Sequence, residues 1–121
     1  MKGNSPCGIY LPDYDIPLVL INVVKDTMKI NEIAEKNYQW VEQMGWHNKT
    51  VLEALALVAS EVGEAINECR QEQPSADFAE ELADIILRVL DIAHWQAIDI
   101  EKVIKAKMEK NSLQGNRGRL K

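Results

Sequence analysis

Glu61-Val-Gly-Glu64 and Glu81-Leu-Ala-Asp84 twice place two carboxylates three residues apart in a chain of 121 residues. Positions i and i+3 of a helix lie on one face, so each pair presents both acids in the same direction. If the two segments are helices packed side by side, four acids converge. At ~4–5 Å and an effective dielectric near 20, each like-charge pair costs roughly 3–4 kcal/mol, several times what a surface ion pair returns. A divalent cation removes that cost. Mg²⁺ or Mn²⁺ prefers oxygen ligands, and Mg²⁺ commonly takes one or two carboxylates while waters and substrate phosphates fill its other positions. The plainer reading of one such pair is a solvated face, because Glu forms helices readily. Two pairs on consecutive apolar segments favour the cation.

The apolar setting follows from a helical advance of ~100° per residue. With Glu61 at zero, Glu64 and Glu68 fall within about 60° on one side, and Ala54, Val58, Ala65, Val62, Leu55 and Ile66 begin on the other. With Glu81 at zero, Asp84 and Arg88 fall within about 60°, beside Phe78, Ile85, Ile92, Val89 and Leu82. Gly63 lies inside the first acidic turn, and a mid-helix glycine costs ~1 kcal/mol, which predicts a close neighbour.

Four helices are needed to carry these faces. Ile30, Ile33, Ala34, Tyr38, Val41 and Met44 recur at helical spacing before Gly45, giving a first helix near 30–44. Thr50 caps a second that runs from Val51 to about Gln71 and is apolar over most of its girth, as a helix buried in a bundle should be. After Pro74, Ser75 caps a third carrying Phe78, Leu82, Ile85, Ile86, Val89, Leu90 and Ala93, and Asp99 opens a fourth with Val103, Ile104 and Ala106 inside and Asn111 near its end. Ahead of them, Pro6, Pro12 and Pro17 with Gly3 and Gly8 mark an irregular start, and Leu18–Val24 is a β-branched run that reads as a strand or an arm needing a partner, such as its copy in another subunit.

The chain thus divides into an irregular extension over 1–28, a helical domain over 29–112 and a basic tail over 113–121, and its fold class is all-α. Four modest helices leave much apolar surface, so the bundle is predicted to be completed by oligomerisation, as a homodimer or homotetramer.

Hydrophobic residues at 46% and charged residues at 27% describe a globular chain, and no apolar run reaches the ~18 residues of a spanning helix. Met1–Cys7 lacks the apolar core of a secretory signal, and Cys7 and Cys69 have no metal-site or framework spacing, so a reduced cytoplasmic setting is predicted. The formal charge of −5 speaks against a nucleic-acid polymer as partner, yet it divides into −11 over residues 1–101 and +6 over 102–121. A small phosphorylated ligand, bridged to the acids by a cation, fits that division. Asp91-Ile-Ala-His94 is one imperfect copy of a motif that di-iron bundles need twice, and no phosphate-binding glycine loop, GxSxG or HExxH pattern is present.

The two acidic pairs with their 16-residue spacer, followed by Lys107-Met-Glu-Lys-Asn111, resemble the MazG-like branch of the all-α nucleoside triphosphate pyrophosphatases over about residues 29–111. The resemblance implies Mg²⁺-dependent hydrolysis of a nucleoside triphosphate to its monophosphate and pyrophosphate, in the house-cleaning of nucleotide pools, with a dNTP the expected substrate. It makes Glu61, Glu64, Glu81 and Asp84 metal ligands and Lys107 and Asn111 triphosphate contacts. Relatives commonly carry an arginine where this chain has Gln114, and Arg117 or Arg119 is the replacement available in the tail. Breaking a phosphoanhydride asks for positioning and charge neutralisation, and a carboxylate not fully engaged by metal, Glu64 or Glu61, can take the proton of the attacking water.

Trp40, Trp46 and His47 end the first helix and start the following loop, where aromatic faces can stack a base or pack a core, and Lys49 is placed to reach a phosphate. Trp95 projects on the side of Glu81 and Asp84. Two rivals stand beside this reading: a phosphoribosyl-ATP pyrophosphohydrolase with the same fold and metal logic, and a non-catalytic helical interaction protein whose acids are solvated.

Overall fold

Apolar residues recurring every three or four positions form helices at Ile30–Gln43 (α1), Val51–Asn67 (α2), Phe78–Trp95 (α3) and Ile100–Leu113 (α4) in the computed structural model, which describes residues 27–114. The Leu18–Val24 run, nearly all of the proline-rich extension and the tail with Arg117 and Arg119 lie outside the described residues. No described helix is long and apolar enough to cross a membrane.

Side chains placed at the helix ends fix where each begins. Thr50 Oγ1 accepts the Glu53 backbone N–H at 3.1 Å, and Glu53 Oε1 accepts the Thr50 N–H at 2.8 Å, a reciprocal cap that satisfies two donors at the start of α2. Asp99 Oδ1 accepts the Lys102 N–H at 3.1 Å and opens α4 as its position predicts. At the end of α1, Gly45 takes φ +75°, and its N–H and that of Trp46 turn back to the carbonyls of Glu42 and Val41 at 3.0 and 3.1 Å.

Two boundaries differ from expectation. α2 ends at Asn67, short of Gln71, because Ser75 folds back on the helix end: its N–H donates to the Glu68 carbonyl at 2.9 Å and its hydroxyl to the Glu68 carboxylate. Ser75 therefore closes the turn, and Asp77 takes the cap position of α3. Ser75 Oγ accepts the Asp77 N–H at 3.2 Å and so still braces the start of that helix.

α3 lies between α1 and α2 and packs on both, whereas α1 and α2 do not pack on each other. The buried contacts are small or slender, Ala34, Ala65, Leu90 and Ala93, so the backbones approach closely. α2 is not enclosed as its girth predicts: Leu52 is 77% and Ile66 61% exposed, and Leu55 and Val62 share that open face. α4 touches α1 and α3 and buries no residue of its own. Its start is held by Asn31, whose Nδ2 donates to Asp99 Oδ1 at 2.7 Å while its Oδ1 accepts the Glu101 N–H at 3.2 Å.

Candidate active site

Packing α2 along α3 turns their acidic edges toward each other. Glu61 from α2 and Glu81 and Asp84 from α3 each offer an oxygen, and the three lie within 4.8 Å of one another. Glu61 is buried, and Glu81 Oε1 is buried with no hydrogen-bond partner. A buried polar atom left unpaired costs free energy that a ligand can recover. Desolvation raises the Glu81 carboxyl above its ordinary range, with the charges of Glu64, Asp84, Glu61 and Glu68 adding to it. Desolvation and the charge of Glu61 likewise raise Asp84, against a smaller opposing pull from Arg88. Three carboxyl groups crowded in this way fit a hard divalent cation in donor type and spacing. Glu64 is exposed and outside the group of three, near enough for its charge to act on Glu81 and Asp84.

A cavity of about 300 Å³ opens beside the acids, in the trough between α1 and α2 with α3 beneath. Glu61 and Asp84 belong to both, so the acid group borders the cavity. Trp40, Val41, Trp46, Leu57, Ile92 and Trp95 supply apolar and aromatic wall. Trp40 and Trp46 meet edge to face with centroids 5.2 Å apart, and Trp40 Nε1 is buried without a partner. Arg88 also lines the cavity, and its Nε–H donates to Glu61 Oε2 at 2.7 Å.

The loop after α1 reaches this wall through the left-handed turn at Gly45. His47 pins it: Nδ1 lies 2.7 Å from Glu42 Oε1, Nε2 lies 2.8 Å from Asp91 Oδ1, and the ring stacks on Tyr38 with centroids 4.2 Å apart. Burial works against charge on the imidazole, but the hydrogen bonds to Asp91 and Glu42 and the pull of their charges outweigh it together, so its pKa is raised. Lys49 lines the cavity, with its Nζ donating to the Trp46 carbonyl at 2.8 Å and to Asn48 Oδ1 at 3.2 Å.

Of the residues singled out from sequence, the structure brings Glu61, Asp84, Trp46, His47 and Lys49 to one cavity, with Glu81 beside them. Lys107 is exposed on α4, and Asn111 is half-buried with its Oδ1 unpartnered. The close neighbour expected of Gly63 is not there: a Cβ at that position would meet nothing within 4 Å among the described residues, because Gly63 lies toward the open face of α2. Sequence reasoning missed Asn37, the pairing of Asp91 with His47 at the cavity and the pairing of Arg88 with Glu61. Arg88 was visible on the same helical face as Glu81, and that shared face was the available signal.

The MazG nucleotide pyrophosphohydrolase domain family model matches residues 49–114, which span the second to fourth helices and all four acids. No curated protein and no solved structure matches the chain significantly. A match over more than half of the sequence, on an all-α fold whose acids meet beside a cavity, places the chain in the MazG nucleotide pyrophosphohydrolase family, hydrolases that act on phosphoanhydride bonds.

Proposed function

We propose that the chain hydrolyses a nucleoside triphosphate, a dNTP in the first instance, to the monophosphate and pyrophosphate with Mg²⁺, or Mn²⁺ in its place, as part of nucleotide house-cleaning. The observation that carries this is the union of two features at Glu61 and Asp84: a converging acid group with an unpartnered buried oxygen on Glu81, and an aromatic-walled cavity that continues from it. When bound, the cation would neutralise phosphoryl oxygens and polarise them toward attack.

Glu61, Glu81 and Asp84 hold the cation, with Glu64 beside them as a fourth ligand or as the proton acceptor. The base and sugar enter the cavity, where Trp46 offers an aromatic face and the free Trp40 Nε1–H a donor for a base carbonyl or ring nitrogen. His47 serves this pocket by holding the loop that carries Trp46 and Lys49. A water oxygen bonds to the α-phosphorus, the bond from that phosphorus to the bridging oxygen breaks with its electron pair leaving on pyrophosphate, and the water's proton passes to Glu64. Glu61, already paired with Arg88, is the alternative acceptor. Lys107, Asn111 and Arg117 meet the outer phosphates.

The chain works as a homodimer or homotetramer in this reading. Support comes from the uncovered apolar residues of α2 and from Leu82, Ile86 and Val89 on α3, which are all exposed in the single chain.

The test is pyrophosphate release from a panel of dNTPs, NTPs and phosphoribosyl-ATP with and without Mg²⁺. The expected result is release that requires Mg²⁺, is fastest with a dNTP, and is lost in Glu64→Gln. No metal-dependent release from any substrate, or full activity in Glu64→Gln, overturns the reading. Preference for phosphoribosyl-ATP would reassign the substrate.

A further inference from the structure

One cation stands where the cavity meets the acids. Arg88 follows Asp84 by one turn of α3, lines the cavity, and reaches across to Glu61 on α2 through its Nε. The pair is unequal in depth: the Glu61 side chain is 12% exposed and that of Arg88 41%. Among the described residues this is the only hydrogen bond the Arg88 side chain makes, so its two terminal nitrogens keep their donors.

The other cationic groups of the cavity are already engaged. Lys49 is turned onto the Trp46 carbonyl and Asn48, and His47 lies between Glu42 and Asp91. Asp91, the acid one turn beyond Arg88 on the same helix, therefore has its partner elsewhere. Arg88 alone combines a fixed inner edge with a free outer fork.

A nucleoside held in the cavity with its phosphates directed to the acid group must carry its first phosphate past Glu61 and Asp84. That phosphate is negative and faces carboxylates, so it needs a protein cation on the cavity side of the metal ligands. Arg88 is at that place, and the fork of a guanidinium matches two phosphate oxygens where a lysine offers one point charge. Building on the hydrolase function above, we propose that Arg88 is a catalytic residue that binds the α-phosphate and stabilises the charge that grows on its oxygens during attack. Glu61 positions Arg88 through Nε, and Arg88 in turn neutralises Glu61 when no metal is bound.

Arg88→Gln and Arg88→Lys separate this role from simple support of Glu61. Three quantities are measured: Mn²⁺ binding without nucleotide, by electron paramagnetic resonance; binding of inorganic pyrophosphate with Mn²⁺ present; and binding, with Mn²⁺, of the monophosphate of whichever triphosphate is cleaved fastest. In Arg88→Gln, monophosphate affinity is expected to fall at least tenfold and kcat by about 10²–10³. Pyrophosphate affinity should stay within about twofold, and Mn²⁺ affinity should hold or rise because a competitor for Glu61 is gone. Arg88→Lys should regain part of the loss.

Unchanged monophosphate affinity, an equal loss of pyrophosphate affinity, or a loss of Mn²⁺ binding each overturns the proposal. If Arg88→Gln does not fold by circular dichroism, Arg88→Lys decides: monophosphate affinity equal to wild type counts against Arg88, and a loss of threefold or more confined to the monophosphate supports it. A wild-type chain with no metal-dependent pyrophosphate release would sink the hydrolase function and this role with it, whereas an active wild type leaves Arg88 to be judged on monophosphate binding.

Discussion

His47 Nε2 lies 2.8 Å from Asp91 Oδ1, across 44 positions of sequence, and this contact fastens the loop after α1 to the last third of α3. Glu42 from α1 holds the other ring nitrogen, Tyr38 covers a face, and Trp95 and His94 complete the surroundings from α3. Because this network raises the pKa of His47 above its ordinary value of about 6.5, its contribution to stability is fully present below that unfolded-state value. It is lost as pH rises through the higher folded-state value. Melting temperature against pH should fall across that window in the wild type. His47→Gln should flatten the slope and cost about 1–2 kcal/mol at pH 6. KM should rise more than kcat falls, since the loop bears Trp46 and Lys49.

Glu81 gives a pH slope of the same sign from the reverse cause, a destabilising charge at high pH rather than a stabilising one at low pH. Its carboxyl is raised by desolvation and by four neighbouring acids, so the metal-free fold favours the protonated form and gains stability as pH falls from the raised value toward the ordinary one. Glu81→Gln should melt higher than wild type in EDTA at neutral pH. The same substitution should weaken Mn²⁺ binding by about 100-fold or more, the scale at which even outer partners of metal ligands act. Melts with and without Mn²⁺ check both halves, and a variant that melts lower in EDTA would contradict the electrostatic account.

Ala97 occupies φ 57° at the end of α3, where its N–H returns to the His94 carbonyl at 3.0 Å and that of Ile98 to the Ala93 carbonyl at 2.8 Å. This is the geometry that Gly45 supplies after α1, performed here by a residue with a Cβ. Ala97→Gly should stabilise by about 0.5–1 kcal/mol, the relief of left-handed strain less the greater freedom of glycine in the unfolded chain. The shift of the urea midpoint reads it directly.

The open face of α2 provides a test of assembly. Placing charge there, as in Leu55→Glu together with Ile66→Glu, should convert the proposed oligomer to a monomer by light scattering. Those residues are exposed in the single chain, so the helix itself should persist.

The helices were legible because their signals are local. The α1 stripe ending at Gly45, the Thr50 cap and the Asp99 cap each involve residues within a few positions of one another, and all three stand where the pattern puts them. Ser75 misled because it is both a good capping residue and the residue that returns to Glu68, and only the fold of the turn shows that Asp77 takes the cap. The convergence of Glu61, Glu81 and Asp84 could be read from two helical wheels. The partners of Arg88 and His47 could not, since periodicity states which face a residue occupies and not which distant side chain will face it.

α4 can be regarded as a lever with its pivot at Asn31. The double contact of Asn31 with Asp99 and Glu101 fixes the first turn, yet no residue along the helix is buried. Lys107 and Asn111 sit about 10 and 16 Å along the axis from that pivot, past Val103 and Ile104 and on either side of Met108, which is 65% exposed. Whatever surface covers those apolar side chains also sets where the far end of the lever points. If Lys107 and Asn111 grip the outer phosphates and a second copy supplies that surface, as proposed above, a diluted enzyme should lose apparent triphosphate affinity before it loses its fold.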